Sequence, residues 1–309
     1  MTRNAQGDLA AIAALISANV IYAMSYATAR VAMEGLPPAF LAFVRLLIAG
    51  VILLPLWRAG PAGAPFNRRE HATAAAMGAV GFGLAFWLGN LGISLSTTTN
   101  AAILVVVEPV SLILLGPALL GESLSAREAL GAALAVAGSL LVVLNGLPGR
   151  GEPILPHWRG DALLVLTGIA FASYSLWGRP LLARHDAGRV TVLSLFWGAA
   201  AIAPLVVREW LAGQRPAWSW PVAAATLYLA VAVTGFGFFL WNWALRRVEA
   251  SRAAITLNIQ PVLGSLLGIL WLKERPTAFT IAGGALIVFG LFVAFVPARR
   301  EFGGAPVAP

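Results

Sequence analysis

The sequence predicts an all-α polytopic membrane protein with ten transmembrane helices, arranged as two inverted repeats of five helices each. Three observations lead to this prediction: an apolar composition, a series of long apolar segments, and a motif pattern that occurs twice. The 309 residues are 59% hydrophobic and 11% charged, with a mean hydropathy of +0.83, whereas soluble domains contain about 25% charged residues. A large soluble α-helical domain is therefore strongly disfavoured.

The chain divides into segments long enough to cross a bilayer, which takes about 20 residues of helix. The runs are too long, and alternate too little, for the strands of a membrane barrel. The first run continues past Asp8 to about Ala32, which is too long for a signal peptide, so we expect it to be retained. The ten predicted helices are 9–33, 38–57, 71–95, 98–120, 126–145, 161–183, 190–207, 220–245, 251–271 and 277–297.

The basic residues predict the orientation of these helices. An even number of spans puts both termini on one side, and that side carries 13 Arg residues against 7 Arg and Lys on the other. Because positive charge is retained inside, we expect both termini to be cytoplasmic. The basic residues occur one or two at a time between apolar segments, so the net charge of +8 indicates a lipid bilayer as partner and no nucleic acid.

The residues needed for several kinds of chemistry are missing from the sequence. There is no Cys, and the three His lie in or beside polar connections, so we expect no metal and no cofactor. HExxH, GxSxG and GxxxxGK[ST] do not occur, which disfavours a membrane-embedded enzyme and an ATPase on this chain. We therefore predict that the protein is not an enzyme.

One duplication accounts for the whole chain. GFGLAFW at 81–87 returns 154 residues later as GFGFFLW at 235–241, and Pro109 and Glu122 return 152 residues later as Pro261 and Glu274. The predicted halves are 1–150, with helices 1 to 5, and 151–309, with helices 6 to 10. Since five is odd, the second half enters the membrane from the opposite side.

Inverted repeats with helices interrupted at matching points are typical of secondary transporters. Proline lacks an N–H, so the helical hydrogen bonds to the carbonyls of Val105 and Leu257 are lost. Close helix packing, which Gly and Pro also serve in membranes, is the alternative to a hinge. The predicted helix breaks or hinges are Pro109, Pro261, Gly81, Gly83, Gly235 and Gly237.

The chain resembles the EamA family of the drug/metabolite transporter superfamily. The resemblance is carried by EP at 108–109, LGE at 120–122 and AGSLLV at 137–142, and by QP, LKE and AGGALIV in the second half. FVRLLIAG at 43–50 is similar to the second helix of that family. The resemblance implies ten helices, cytoplasmic termini, the bacterial inner membrane and export of small metabolites. Within the family the chain looks most like bacterial exporters of aromatic amino acids. It departs from the pattern at Gln260 and Lys273.

A carboxylate, Glu108, lies inside the fourth predicted helix, where charge is costly. Arg45 lies at a similar depth in the second helix, and the corresponding positions of the other half carry neither an acid nor an Arg. We therefore predict a Glu108–Arg45 ion pair. It has two interpretations: a fixed structural link, or a carboxylate that couples transport to protons or binds the amino group of a substrate.

Polar and aromatic side chains near the middle of the membrane are the candidate substrate site. Asn19, Tyr22 and Tyr26 share one face of the first helix because they are three and four residues apart. Aromatic core packing and interhelical hydrogen bonds are the alternatives for each residue. The predicted substrate-binding residues are Asn19, Tyr22, Tyr26, Trp87, Asn90, Asn100, Tyr174, Trp177, Trp241, Asn242, Asn258 and Gln260.

These observations predict a secondary transporter, acting as a monomer, that exports small organic metabolites by alternating access. Amino acids, including aromatic ones, are the expected substrates. Drugs, nucleosides or other metabolites remain the alternative, and a membrane-embedded enzyme or passive channel is the alternative of another class. For Glu122 and Glu274, a solvated carboxylate or a cap of the helix that follows is favoured over a gating salt bridge.

Overall fold

The structure, a computed structural model, describes residues 2–59, 65–120, 125–144, 157–247, 256–257 and 259–295. All regular elements in these ranges are helices. They are α1 (Thr2–Ala32), α2 (Pro38–Ala59), α3 (Arg68–Leu95), α4 (Thr98–Leu104 followed by Val107–Leu120), α5 (Ala126–Leu144), α6 (Trp158–Arg184), α7 (Ala187–Leu211), α8 (Trp220–Leu245), α9 (Ile259–Leu270) and α10 (Ala278–Phe295).

Eight of these helices, α1 to α8, are long and apolar enough to cross a membrane by length and composition. The other two apolar helices, Ile259–Leu270 and Ala278–Ala294, are shorter. The prediction of a multi-pass, all-α membrane protein is thus confirmed for the described residues, while the number of ten spans stays a prediction. The predicted start of the ninth span, 251–255, lies outside those residues.

Two stretches of π-helix interrupt α3 and α8 at matching places. They cover Met77–Leu84 and Leu229–Gly237, so their first residues are 152 positions apart, the spacing of the sequence repeat. A π-helix has a wider turn than an α-helix and occurs frequently at functional sites. The glycine motifs of the sequence analysis therefore mark a change of helix type rather than an end of the helix.

The two prolines have equivalent surroundings. Helix α4 is interrupted at Val105 and Val106, ahead of Pro109. The carbonyl of Val105 accepts a hydrogen bond from the amide of Glu108 at 2.9 Å, and the carbonyl of Leu257 accepts one from Gln260 at 3.1 Å. Each carbonyl that loses its helical donor to a proline therefore accepts from the amide of the residue before that proline. An apolar environment requires such a replacement.

The two halves of the chain are interleaved rather than side by side. Helix α1 packs on α8 and α9, α6 packs on α3 and α4, and α2 packs on α7. Helices α5 and α10 pack on each other through glycines. A Cβ on Gly131 would lie 2.4 Å from the carbonyl oxygen of Gly290, and one on Gly138 would lie 2.6 Å from that of Gly283. Because Gly283 and Gly290 follow Gly131 and Gly138 by 152 residues, this crossing has the reciprocal contacts of a two-fold axis.

Two carboxylates cap helices of the other half. Glu209, at the end of α7, accepts the amides of Ala39 and Phe40 at 2.8 and 2.9 Å. Glu274 accepts the amides of Thr98 and Thr99, both at 2.7 Å, at the start of α4. Amides at a helix start lack partners within the helix, and negative charge is favourable there.

The capping role of Glu274 differs from the expectation in one respect, because the capped helix is α4 and not the helix that follows. The residue before Glu274, Lys273, has a left-handed backbone conformation with φ 57°. The corresponding residue of the first LGE motif is a glycine. Glu122 lies outside the described residues.

Candidate functional site

A cavity lies between α1, α3, α4 and α6, with further walls from α2, α8 and α9. It offers about 100 Å³ to the centres of water-sized molecules, well above the roughly 10–15 Å³ that one water requires. Helices α5 and α10 contribute no lining residue, in agreement with their aliphatic, glycine-rich sequences. The cavity is therefore large enough for more than a single bridging water.

Three polar side chains line this cavity without a hydrogen-bond partner for their terminal polar atoms among the described residues. They are the carboxylate of Glu108, the terminal nitrogens of Arg45 and the hydroxyl of Tyr22. Tyr22 lies within electrostatic range of both charged groups. The Tyr22 hydroxyl is fully buried, and buried polar atoms are normally hydrogen-bonded. Together with the two charged groups that face the same cavity, it indicates a site for a polar ligand.

The predicted Glu108–Arg45 ion pair is not formed in this conformation. No nitrogen of Arg45 lies within 4.0 Å of a carboxylate of the described residues. Instead, Nε of Arg45 donates to Oγ1 of Thr234 at 2.8 Å, and the guanidinium lies 3.9 Å from the centroid of the Phe86 ring. The Thr234 hydroxyl and the Phe86 ring therefore hold the Arg45 guanidinium, in place of the Glu108 carboxylate on α4.

The π-helix in α8 places Thr234 for this contact. The Thr234 hydroxyl donates to the carbonyl of Leu229, five residues earlier, at 2.8 Å. It accepts from Arg45 with its free lone pair. The i to i−5 spacing belongs to the π-helical turn, which links that irregularity to the orientation of the arginine.

Aromatic rings form a continuous wall of the cavity. Phe238 makes an edge contact with Phe86 at 6.0 Å, and contacts Phe171 at 6.2 Å and Tyr174 at 6.0 Å between centroids. Trp241 adds a further ring to the lining. The contacts of Phe238 with Phe86 and Tyr174 are edge-to-face, and its contact with Phe171 is tilted. This packing fixes the wall, whose outer faces offer apolar contact to a bound side chain.

Comparison with known proteins identifies the family. The model of the EamA-like transporter family matches residues 9–144 and again residues 158–296. The chain belongs to the EamA-like transporter family. It is thus a multi-pass membrane transporter, and the family model matches each half once.

Relatives of this EamA-like transporter carry transporter names. A probable terminal-alkyne amino-acid exporter of Streptantibioticus cattleyicolor is 29% identical over 286 residues, which cover 92% of each chain. A probable amino-acid metabolite efflux pump of Escherichia coli is 22% identical, over 89% of this chain and 91% of that protein. A solved crystal structure matches with a TM-score of 0.65 at 21% identity, covering 94% of this chain and 98% of that one, and so shares the fold. No enzyme family is indicated.

The EamA-like cavity brings together half of the predicted substrate-binding residues. The lining side chains among them are Tyr22, Tyr26, Asn90, Tyr174, Trp241 and Gln260. Glu108 and Arg45 join them. Asn258 lies outside the described residues.

The other predicted binding residues serve the packing of the transporter. Asn19 donates to Oγ1 of Thr256 at 2.9 Å, and Asn242 donates to Tyr174 at 2.9 Å and Thr191 at 2.8 Å. Asn100 donates to the buried carboxylate of Asp161. Trp87 and Trp177 pack against the cluster between α2, α3, α6 and α7. Interhelical hydrogen bonds and core packing, the alternatives to substrate binding, therefore describe the contacts of these residues in this conformation.

Gln260, where the first half has Glu108, is part of a hydrogen-bond network. Its Nε2 donates to Oδ1 of Asn19 at 2.8 Å, and its Oε1 accepts from the Tyr26 hydroxyl at 2.8 Å. Gln260 therefore uses a donor and an acceptor to link α1 and α9, while the carboxylate of Glu108 has no such link among the described residues.

The predicted hinge residues do not line the cavity. Gly81, Gly83 and Gly237 are positions of close helix packing, since a Cβ there would lie 2.3, 2.8 and 2.6 Å from Tyr174, Gly198 and Tyr22. Pro109 and Pro261 act through the rearranged hydrogen bonds described above. The packing interpretation fits these glycines, whereas a hinge motion stays a prediction.

The lining residues that the sequence analysis missed include the aromatic side chains Phe86, Phe171 and Phe238 and the hydroxyl residue Ser175. Phenylalanine is common in every membrane segment, so its presence alone carries no signal. A usable signal was the repeated motif, because Phe86 lies in GFGLAFW at 81–87 and Phe238 lies in GFGFFLW at 235–241. Within the described part of the chain, no three His, Asp or Glu side chains come together as a metal site requires.

Proposed function

We propose that this transporter exports amino acids, including aromatic ones, from the cytoplasm by alternating access. The observation that carries the proposal is the cavity itself, in which the Glu108 carboxylate, the terminal nitrogens of Arg45 and the Tyr22 phenol have no hydrogen-bond partner among the described residues and lie beside a wall of aromatic rings. A zwitterion with an aromatic side chain matches that lining group by group. The names of the exporter and efflux-pump relatives support the same substrate class.

The proposed mechanism uses the duplication. We infer that residues 1–150 and 151–309 are inverted repeats whose relative movement exposes the cavity to one side at a time. The matching π-helices, the matching proline contacts and the reciprocal glycine crossing of α5 and α10 support this inference. The chain would act as a monomer in the bacterial inner membrane with both termini in the cytoplasm.

Glu108 is the proposed coupling residue. It lines the cavity and has no ion pair among the described residues, so it is available to a proton or to the ammonium group of a substrate. Intramembrane carboxylates of this kind form proton relays in transporters. The structural interpretation, a fixed link to Arg45, has no support from the contacts of Arg45.

Efflux from liposomes tests the function and the role of Glu108 together. Purified protein is reconstituted into liposomes loaded with radiolabelled phenylalanine, leucine or lysine, with and without a proton gradient. We expect saturable efflux with a preference for phenylalanine. Glu108→Gln should lower gradient-driven efflux about tenfold or more, as expected on removing a coupling carboxylate. It should lower downhill exchange much less, because Arg45, Tyr22 and the aromatic wall of the cavity remain.

Glu34→Gln is the matched control, because Glu34 is an exposed carboxylate without a partner among the described residues. It should transport like the native chain. Efflux no faster than from empty liposomes would refute the amino acid assignment, and a Glu108→Gln variant that still follows the gradient would refute the coupling role.

A further inference from the structure

We propose that Arg45 binds the carboxylate of the substrate, which makes a free carboxylate a requirement for transport. This inference rests on the proposed function and adds to it the group that Arg45 recognises. It concerns the guanidinium on α2, which the sequence analysis assigned to an ion pair.

The cation is buried but incompletely paired. Arg45 is 3% exposed and lines the cavity. Nε is used by Thr234, and the two terminal nitrogens have no acceptor among the described residues. A guanidinium removed from water needs an anion or several hydrogen bonds. Since no carboxylate of the described protein lies within 4.0 Å, the cavity is where that anion can come from.

The orientation of the group suits a carboxylate. A guanidinium presents its donors in a rigid planar fork that binds both oxygens of a carboxylate. Thr234 fixes the Nε edge, and the Phe86 ring at 3.9 Å covers one face of the plane. The edge with the terminal nitrogens is the part left for a ligand. The Tyr22 hydroxyl, also buried without a partner, is a second donor to the same anion.

Three ligands with one ring test the requirement on the native protein. Phenylalanine has a carboxylate, phenylalaninamide replaces it with a neutral amide, and phenethylamine lacks it. We expect equilibrium binding to the full-length protein in nanodiscs to weaken about ten- to hundredfold for both analogues, the range for a hydrogen bond to a charged group. Equal binding of phenylalanine and phenethylamine would overturn the proposal.

Variants separate recognition from structure. Arg45→Gln should weaken phenylalanine binding about tenfold or more and leave phenethylamine binding within about twofold, whereas Arg45→Lys should keep part of the preference because it keeps the charge. Thr234→Val, which removes the positioning hydroxyl, should reduce the same preference. Thr226→Val is its matched control, since Thr226 is a buried threonine of α8 whose hydroxyl, among the described residues, bonds only to the carbonyl of Val222, at 2.7 Å.

The outcomes distinguish this inference from the proposed function. If the protein binds and exports phenylalanine but does not discriminate against phenethylamine, the exporter function stands and the role of Arg45 is refuted. If it binds none of the three ligands, the assignment to aromatic amino acids fails first. If Arg45→Gln weakened the binding of all three ligands by the same factor, Arg45 would have a structural role and the proposal would also be overturned.

Discussion

At the residue scale, Glu108 and Gln260 occupy equivalent places in the repeat but have different surroundings. Gln260 is 3% exposed and both ends of its amide are hydrogen-bonded, to Asn19 and Tyr26. An ionised carboxylate only accepts hydrogen bonds, so it could not replace the donor that Gln260 supplies to Oδ1 of Asn19. The loss of the charge in the second half is thus explained by structure, and its retention at Glu108 by an open cavity.

The first prediction compares the two reciprocal substitutions. Gln260→Glu should lower the free energy of unfolding by about 1–3 kcal/mol, because a carboxylate would face Oδ1 of Asn19 without a donor. Glu108→Gln should change it by less than about 0.5 kcal/mol or raise it, because it removes a partly buried carboxylate that has no partner among the described residues. Thermal unfolding of both variants in detergent measures the difference. Equal destabilisation would contradict the assignment of structural and functional roles.

At the element scale, glycines let α5 of the first half and α10 of the second half approach each other through reciprocal contacts. The α5–α10 crossing depends on them, because a Cβ on Gly283 would lie 2.6 Å from the Gly138 carbonyl oxygen and 2.7 Å from a methyl of Val142. A Cβ on its neighbour Gly284 would lie nearest to the Ile103 side chain, at 3.3 Å. Adjacent glycines in one helix therefore have different functions in packing.

The second prediction uses this adjacent pair. Gly283→Ala should destabilise the protein by about 1–3 kcal/mol through overpacking. Gly284→Ala should be neutral or stabilising by up to about 1 kcal/mol, because alanine favours the helix and the Ile103 side chain can adjust. The yield of folded protein and its unfolding temperature report the effect. A destabilisation by Gly284→Ala as large as that by Gly283→Ala would rule out the close crossing.

At the scale of the whole molecule, the halves interleave, so neither half would keep its contacts alone. Helix α1 packs on elements of the second half and α6 on elements of the first. The carboxylates Glu209 and Glu274 attach α7 and the end of α9 to the starts of α2 and α4. A rearrangement that opened the cavity to the other side would have to change contacts between halves.

The third prediction tests the orientation of the whole chain. Because the sequence contains no cysteine, single-cysteine variants can be labelled without a background. Gln214→Cys, exposed between α7 and α8, should react with a membrane-impermeant maleimide on intact cells, and Arg68→Cys, exposed at the start of α3, should react only after permeabilisation. The reverse pattern would place the termini outside and would invalidate the direction of export.

The sequence by itself determined the helices, the membrane environment and the repeat, because these depend on local composition and spacing. Long apolar segments set the helices and the membrane environment, and the repeat of 152 residues matches the two π-helices and the two proline contacts. The family followed from the same repeated motifs. These features could be predicted because each depends on residues close together in the chain or on a fixed offset along it.

Only the tertiary structure decided which polar groups meet. A helix in lipid is apolar on most faces, so its sequence shows no strong stripe to say which side faces a neighbour. The rotation of α2 that turns Arg45 to Thr234 rather than to Glu108 depends on contacts between residues 189 positions apart. For the same reason the sequence could not separate Asn19 and Asn242, which link helices, from Tyr22 and Trp241, which line the cavity.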